Sequence, residues 1–414
     1  MTSLWHLVTP YRRSRRWRRS VYRLVTLVFG FVVFLDVLRV SFPEHDSRPE
    51  TLDLSTGFKR PSIFIATIHW NNEMIIRSHW AKALLEFVND YGAENVYVSI
   101  FESGSYDNTK GALQELDVQL RNAGVERNVE LDDTSHKALI EQGPKDGETG
   151  WINTPRGKKE LRRIPYLAAL RNKVMSQMRD LSQRTSDILT LLATHNSSYA
   201  AACSLDFEKP PSYYDTFALR DSSGAKPIMD TWPYFLSWDS RHALIGNQPV
   251  PVQSCWNGIV AFDSAPFYGD VMPGKPTQLA FRGIEDSLAS SHLEGSECCL
   301  IHADNYLSAR KGVWLNPAVR VGYDGSAYDA VHPTSSHGSI SWPSPRDRFI
   351  GIWRNRFVRM VGRPKRMLES LVVYWRMRGW ERETGVKGEK RKEVGVQCVV
   401  NEMQVLVERG WLHV

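Results

Sequence analysis

The longest apolar run in the chain covers positions 24–42 and stops at Pro43, with Asp36 and Arg39 as its only charged members. At 1.5 Å per residue it reaches about 28 Å, close to the hydrocarbon thickness of a bilayer. A polar, proline-bounded stretch at 43–60 reads as a stem. Beyond it the periods of a mixed fold begin. Positions 62–68 are continuously apolar and predict a buried strand. From Met74 to Tyr91 a helical period places Ile75, Ile76, His79, Ala83, Leu84, Phe87 and Val88 on one face, closed by Gly92. A strand at 95–101, an amphipathic helix at 109–123 ended by Gly124, and a strand at 125–131 complete a strand–helix–strand–helix–strand pattern. That pattern predicts an α/β half with a parallel sheet. Positions 132–160 are polar and rich in Lys, Gly and Thr, so they read as a surface loop. A helix is expected at 162–181, short strands at 199–206 and 258–262, and a helix at 365–378. A Lys/Glu/Gly-rich linker at 385–395 precedes a last segment, 397–411.

Charge refines this picture. The 414 residues carry a formal net charge of +6, yet Arg12, Arg13, Arg15, Arg16, Arg18 and Arg19 supply six positive charges before the first acid, Asp36. The remainder is close to neutral, which argues against a nucleic-acid binder. A basic block ahead of an apolar span predicts a cytosolic N-terminus and a lumenal body. No small-residue cleavage site follows the run, so an uncleaved anchor is expected. Asp36 and Arg39, three apart, are spaced to pair. Five cysteines, Cys203, Cys255, Cys298, Cys299 and Cys398, suit one or two disulfides and a leftover thiol, with the pairing left open. Asn196-Ser197-Ser198 is a glycosylation sequon.

Candidate chemistry gathers where strands end. Glu102 closes a strand, Gly104 allows a tight turn, and Asp107 precedes the potential helix caps Asn108 and Thr109; carboxylates there suit a base or ribose, although a capped loop without ligand is the commoner case on local chemistry alone. Arg162, Arg163 and Arg171 suit a diphosphate or a solvated basic face. Asp206 leaves a strand as a metal or sugar-hydroxyl candidate. Trp256 and Asn257 could stack on and bond a sugar, although a buried turn Trp is the commoner state. The densest polar cluster, 292–304, holds Glu294, Ser296 as a helix cap, Glu297, His302 and Asp304. It offers carboxylate and imidazole for acid–base or metal chemistry, and a satisfied core histidine is the competing account.

These segments resemble the fungal α-1,3-mannosyltransferase family related to cryptococcal capsule biosynthesis. The matching strings are Ile65-Ala66 to Asn71-Asn72-Glu73, Phe101-Glu102-Ser103-Gly104-Ser105, Leu205-Asp206-Phe207, Tyr213 to Asp221, Ser254-Cys255-Trp256-Asn257-Gly258, His292 to Asp304 and Asn401 to Val407. The resemblance implies a GT-A-like, Rossmann-type glycosyltransferase domain over 61–362 behind one transmembrane helix, with donor-binding and acceptor halves meeting near Asp206 and a helical extension over 363–414. It implies a type II Golgi membrane enzyme using GDP-mannose, a mannose-containing glycan acceptor and a divalent metal such as Mn²⁺. On that basis Glu102, Asp107, Arg171 and Asp206 are expected at the donor. Trp256, Asn257 and Glu294 are expected at the sugar or acceptor, Glu297 and His302 at the reacting centre, and Asp206 and His302 at the metal. One departure stands out: family members carry an apolar strand ending in Asn-Asp before the segment matching 187–192, whereas here 172–186 runs directly into it. Loss of that strand would implicate a faulty gene model or a catalytically impaired relative.

Overall fold

The computed structural model describes residues 9–41, 62–179, 194–268, 278–335, 338–339, 342–383 and 391–414. Helix α1, Thr9–Ser41, contains Trp17–Leu38, a stretch long and apolar enough to cross a membrane and almost wholly unburied. The departure noted at 181–192 lies outside the described residues.

Strands β1 (Ile63–His69), β2 (Val96–Ser103) and β3 (Glu126–Asp132) form a parallel sheet in that order, as the apolar runs predict. Helix α2 begins as Glu73–Ile75, passes through a π turn at Ile76–Trp80 and continues as Ala81–Tyr91. The π turn inserts one residue into the helical repeat and rotates everything before it. Ile76, Leu84, Val88 and Tyr91 face the core, while His79, inside the π turn, is turned out and exposed; Ala83, beyond the turn and also expected on that face, is exposed at its edge. Helix α3, Thr109–Asn122, buries Ala112, Leu113, Leu116 and Leu120 against the same core.

Residues 132–160 are not a plain loop. Ser135 accepts the amide hydrogen of Ala138 and starts α4, His136–Gln142, and strands β4 (Trp151–Asn153) and β5 (Lys159–Leu161) form a hairpin. Three-residue strands are too short to show a period-two pattern. Helix α5, Arg163–Arg179, then packs across β1 and β2, where Ser99 Oγ donates to the Val174 carbonyl at 2.9 Å.

A second, mixed sheet holds β6 (Ala201–Lys209), β7 (Ser212–Tyr213), β8 (Arg220–Asp221), β9 (Val250–Ser254), β10 (Val260–Phe262) and a long strand, Val313–Gly322, parallel to β6. The largest core cluster, including Cys203, Leu205, Phe207, Phe235, Val250 and Leu315, packs against it. Helix α6 is Glu297–Asp304, and β11, Glu294–Gly295, pairs with β13 (Val399–Val400); the Val313–Gly322 strand is β12. Helices α7 (Pro345–Val361) and α8 (Arg363–Arg382) follow one another across Gly362. Among the described residues, the extension expected as helical is α-helical in α8, and its end returns as β13 and the pair β14 (Gln404–Val407) and β15 (Gly410–His413). Disulfides join Cys203 to Cys255 and Cys299 to Cys398, leaving Cys298 as a buried thiol. Asp36 pairs with Arg356 of α7, Oδ1 accepting from Nη2 at 2.9 Å, so it has a partner on a distant helix; the side chain of Arg39, its expected partner, lies outside the described residues.

Candidate functional site

Residues 163, 167 and 171 recur every four positions along α5, so Arg163, Leu167 and Arg171 share one helix face. That face borders a cavity of about 510 Å³. Opposite it stand Asp215 and Phe217 after β7, Trp256 after β9, Ser296, Glu297 and Cys298 at the start of α6, and Gln404, Trp411 and His413 from β14 and β15. The volume falls within the range usual for small-molecule sites.

Arg171 is the hub. Its Nε donates to Glu297 Oε1 at 3.2 Å, and its guanidinium lies 4.3 Å from the centre of the Trp256 ring. Burial on its own would lower Arg171, but Cys298, Glu297 and Asp215 around it outweigh that and hold it above its ordinary value. Asp215 Oδ1 accepts the amide hydrogens of Phe217 at 3.2 Å and Ala218 at 3.1 Å. Burial nonetheless raises Asp215, helped by the charge of Glu297. Asp206, in β6, is pushed up to about 7, first by burial and then by the charge of Asp215. Gly258 makes its position possible: φ is +80°, and a Cβ there would sit 2.5 Å from Val321 Cγ2 and 3.3 Å from Asp206 Cγ. Burial likewise pushes the Cys298 thiol well up, and its Sγ lies 3.3 Å from Glu297 Oε1. The site thus concentrates two acids, Asp215 and Glu297, about one arginine, beside aromatic faces, with Asp206 next to Asp215.

An acid held above its ordinary value of about 4 keeps a proton in the fold that the unfolded chain has already lost. Ionisation of Asp206 therefore costs the fold stability as pH rises from about 4 to its folded value of about 7. Asp206→Asn removes this penalty. The melting temperature of the variant minus that of the native chain should be small at pH 4, grow to pH 7 and then level. A difference independent of pH would contradict the assignment.

Other expected site residues lie elsewhere. Glu102 is fully buried, accepts the Ser105 amide hydrogen at 2.5 Å and has Lys110 Nζ at 3.9 Å. Asp107 accepts from the amides of Thr109 and Glu73, both at 3.1 Å, and ties two helix starts together. Neither lines the cavity; together they order the 103–109 loop, whose Tyr106 hydroxyl donates to the Glu408 carbonyl in the β14–β15 turn. Arg162 and Glu294 are corrected to a structural pair. Both are fully buried and joined by two bonds, Nη2 to Oε1 at 2.6 Å and Nε to Oε2 at 3.1 Å, with Asp286 adding a third at 2.7 Å. Asn257 is fully buried, its Oδ1 accepting from the Trp256 amide at 3.3 Å, and it is not among the residues that line the cavity.

His302 is a core histidine. Its Nε2 donates to the Cys255 carbonyl at 2.6 Å, and burial pushes it down to about 4, leaving the ring neutral. Among the described residues, the only close group of three metal-type side chains is Cys203, Cys255 and His302, whose two sulfurs form a disulfide, so no ion is held there. Asn196 lies in the turn Thr194–Ser197, with its side chain outside the described residues.

Asp215 and the β14–β15 wall were not singled out beforehand. Asp215 follows Asp206 across Pro210-Pro211, a turn signal that folds the second acid back beside the first. The wall has no such local cue. Arg163 is the link, its guanidinium 4.0 Å from the Trp411 ring centre and its Nη1 donating to Gln404 Oε1 at 2.7 Å.

A family model described as Cryptococcal mannosyltransferase 1 matches residues 62–304. No curated protein and no solved structure matches the chain.

Proposed function

The chain belongs to the cryptococcal mannosyltransferase 1 family, and from that premise we propose that it transfers mannose from GDP-mannose to a mannose-containing glycan, forming α-1,3 links. The observation that carries the reading is the convergence of Arg171, Asp215, Trp256 and Glu297 on one cavity, all four within the family-matched residues. Arg163 and Arg171 are the cations for the donor diphosphate, a planar fork being suited to phosphate oxygens. Asp215 and Asp206 fit a hard divalent cation such as Mn²⁺ in the form that uses one or two carboxylates together with substrate phosphates. They do not form an all-protein cage of three clustered ligands. When bound, such an ion supplies positive charge to the departing diphosphate. Glu297, held by Arg171, orients that guanidinium and adds negative charge beside the developing oxocarbenium centre. Trp411 offers a flat apolar face for a sugar of the acceptor.

The same reading includes a GT-A-like domain, with α1 as a single-pass type II anchor and the body in the Golgi lumen. The two disulfides support an oxidising compartment. The decisive assay uses the full chain in detergent micelles with Mn²⁺, radiolabelled GDP-mannose and a mannose oligosaccharide, followed by methylation linkage analysis. Labelled 3-linked mannose is the expected product. A chain that neither transfers nor binds GDP-mannose would refute the proposal. A second reading, nucleotide-sugar binding without turnover, is favoured by one observation. Among the described residues β1 pairs only with β2, leaving its outer edge without a neighbouring strand. Calorimetric binding of GDP-mannose with no product would select it.

A further inference from the structure

The β14–β15 wall of the cavity carries polar groups that mannosyl transfer, as proposed, leaves unused. Its register places Gln404 opposite His413 and Leu406 opposite Trp411. Side chains alternate along a strand, so Trp411, His413 and Gln404 share one face, and all three border the cavity. The hairpin is held from behind. Val405 is fully buried in a core cluster, and the Tyr106 hydroxyl donates to the Glu408 carbonyl at 3.0 Å. Arg163 covers one side of the Trp411 ring at 4.0 Å, yet Trp411 is 44% exposed, so ring surface remains open to the cavity. Residues 402–413 lie beyond the stretch 62–304 matched by the family model.

Next to that ring, four side chains form a continuous hydrogen-bonded chain. Arg163 Nη1 donates to Gln404 Oε1 at 2.7 Å, and Gln404 Nε2 donates to Glu402 Oε1. His413 Nδ1 donates to the same glutamate oxygen at 2.9 Å. Each orientation is forced, because a guanidinium only donates and a carboxylate only accepts. With its Nδ1 hydrogen committed, a neutral His413 presents Nε2 as an acceptor. Neither that atom nor Glu402 Oε2 has a partner among the described residues. Lys226 borders the same cavity, close enough to feel the charge of Glu402, and adds a donor. Two free acceptors beside an aromatic face disfavour an anion, which Glu402 repels. They also disfavour an apolar group, which would leave them unpaired. A neutral ring bearing hydroxyls satisfies both, its C–H face on the indole and its O–H groups on the acceptors. Trp411 and His413, two positions apart, are separated by about 7 Å along the strand, within the reach of one pyranose and its hydroxyls.

We propose that the cavity face of β14–β15 is a pyranose subsite for the acceptor, in which Trp411 stacks on the ring and His413 Nε2 and Glu402 Oε2 accept from two of its hydroxyls. That this sugar is the acceptor rests on the mannosyl-transfer reading; that the wall binds a neutral pyranose does not. Gln404 is a positioning residue, fixing Glu402 from one side while Arg163 fixes Gln404 from the other. Arg163 thereby joins the two halves of the cavity, as a cation for the donor diphosphate and as the far end of the chain that orients the acceptor subsite.

The test uses the full chain in detergent micelles with α-linked mannobiose as the probe, its binding followed by saturation-transfer NMR and its consumption by steady-state transfer. His413→Ala and Trp411→Ala should each raise the Kd and the KM for mannobiose by about five- to ten-fold, the scale of one hydrogen bond or one stacking contact. Trp411→Phe, which keeps a ring in place, should recover most of the loss. In His413→Ala the KM for GDP-mannose should not change. A native Kd for mannobiose in both alanine variants, or no binding of mannobiose by the native chain, overturns the subsite and leaves transfer standing. Equal rises of the two KM values in His413→Ala assign the wall to the donor and overturn it as well. If Trp411→Ala does not fold, His413→Ala decides alone, since that side chain is 65% exposed and outside the core. A native chain that binds mannobiose but not GDP-mannose supports the pyranose site and refutes the transferase reading.

Discussion

Asp215→Asn should lower mannosyl transfer by roughly 10²–10³, the scale on which removal of one preorganised charge from a reaction centre acts. The amide keeps the shape of the side chain and can still accept from Phe217 and Ala218 through its oxygen. It also relieves a desolvated acid among other acids, so the melting temperature should hold or rise. Loss of rate with an intact fold is the signature of a residue at the chemistry. Because Asp215 also borders the cation site proposed above, weaker dependence of the residual rate on Mn²⁺ should accompany the loss. A folded variant with native turnover would remove Asp215 from the site and with it the central place given to this cavity.

Arg162→Leu should destabilise the fold by about 3–5 kcal/mol, the usual consequence of stripping the partner from a buried charge. Glu294 is fully buried and already raised by burial, with Arg162 the main force opposing that rise. Without the guanidinium it must take up a proton or unfold its surroundings, and Asp286 and the Ile284 carbonyl lose a donor as well. Against a total stability of about 5–15 kcal/mol this is a large fraction. Urea unfolding followed by circular dichroism measures it. Arg162→Leu with Glu294→Leu should recover much of the loss, because a neutral pair leaves no stranded charge. If the double variant is as unstable as the single one, shape and not charge is what Arg162 supplies.

These two residues also show where reading the chain by itself succeeds and where it stops. Helical period and apolar runs located β1, β2, β3 and α3 because those signals are local. The α2 face was misplaced at His79 because a π turn leaves no mark in composition. Arg162 and Arg171 are the same residue type nine positions apart, yet one neutralises a core glutamate and the other lines a cavity. Glu294 and Glu297 divide in the same way on either side of Ser296. Burial of that kind is decided by what packs against the residue from elsewhere in the chain. Of the expected site, Arg171, Trp256 and Glu297 meet at the cavity, and Asp206 stands beside its Asp215 wall. Glu102, Asp107, Asn257, Glu294 and His302 are engaged in holding the scaffold around it.

The wall made by β14 and β15 has a consequence for timing. Arg163 is synthesised long before Trp411, and the Cys299–Cys398 bond can close only after both thiols have emerged. A growing chain therefore has a cavity open on the β14–β15 side until its last strand folds back. Under the proposed function, a chain still being made lacks the Trp411 side of the cavity until that last strand is in place.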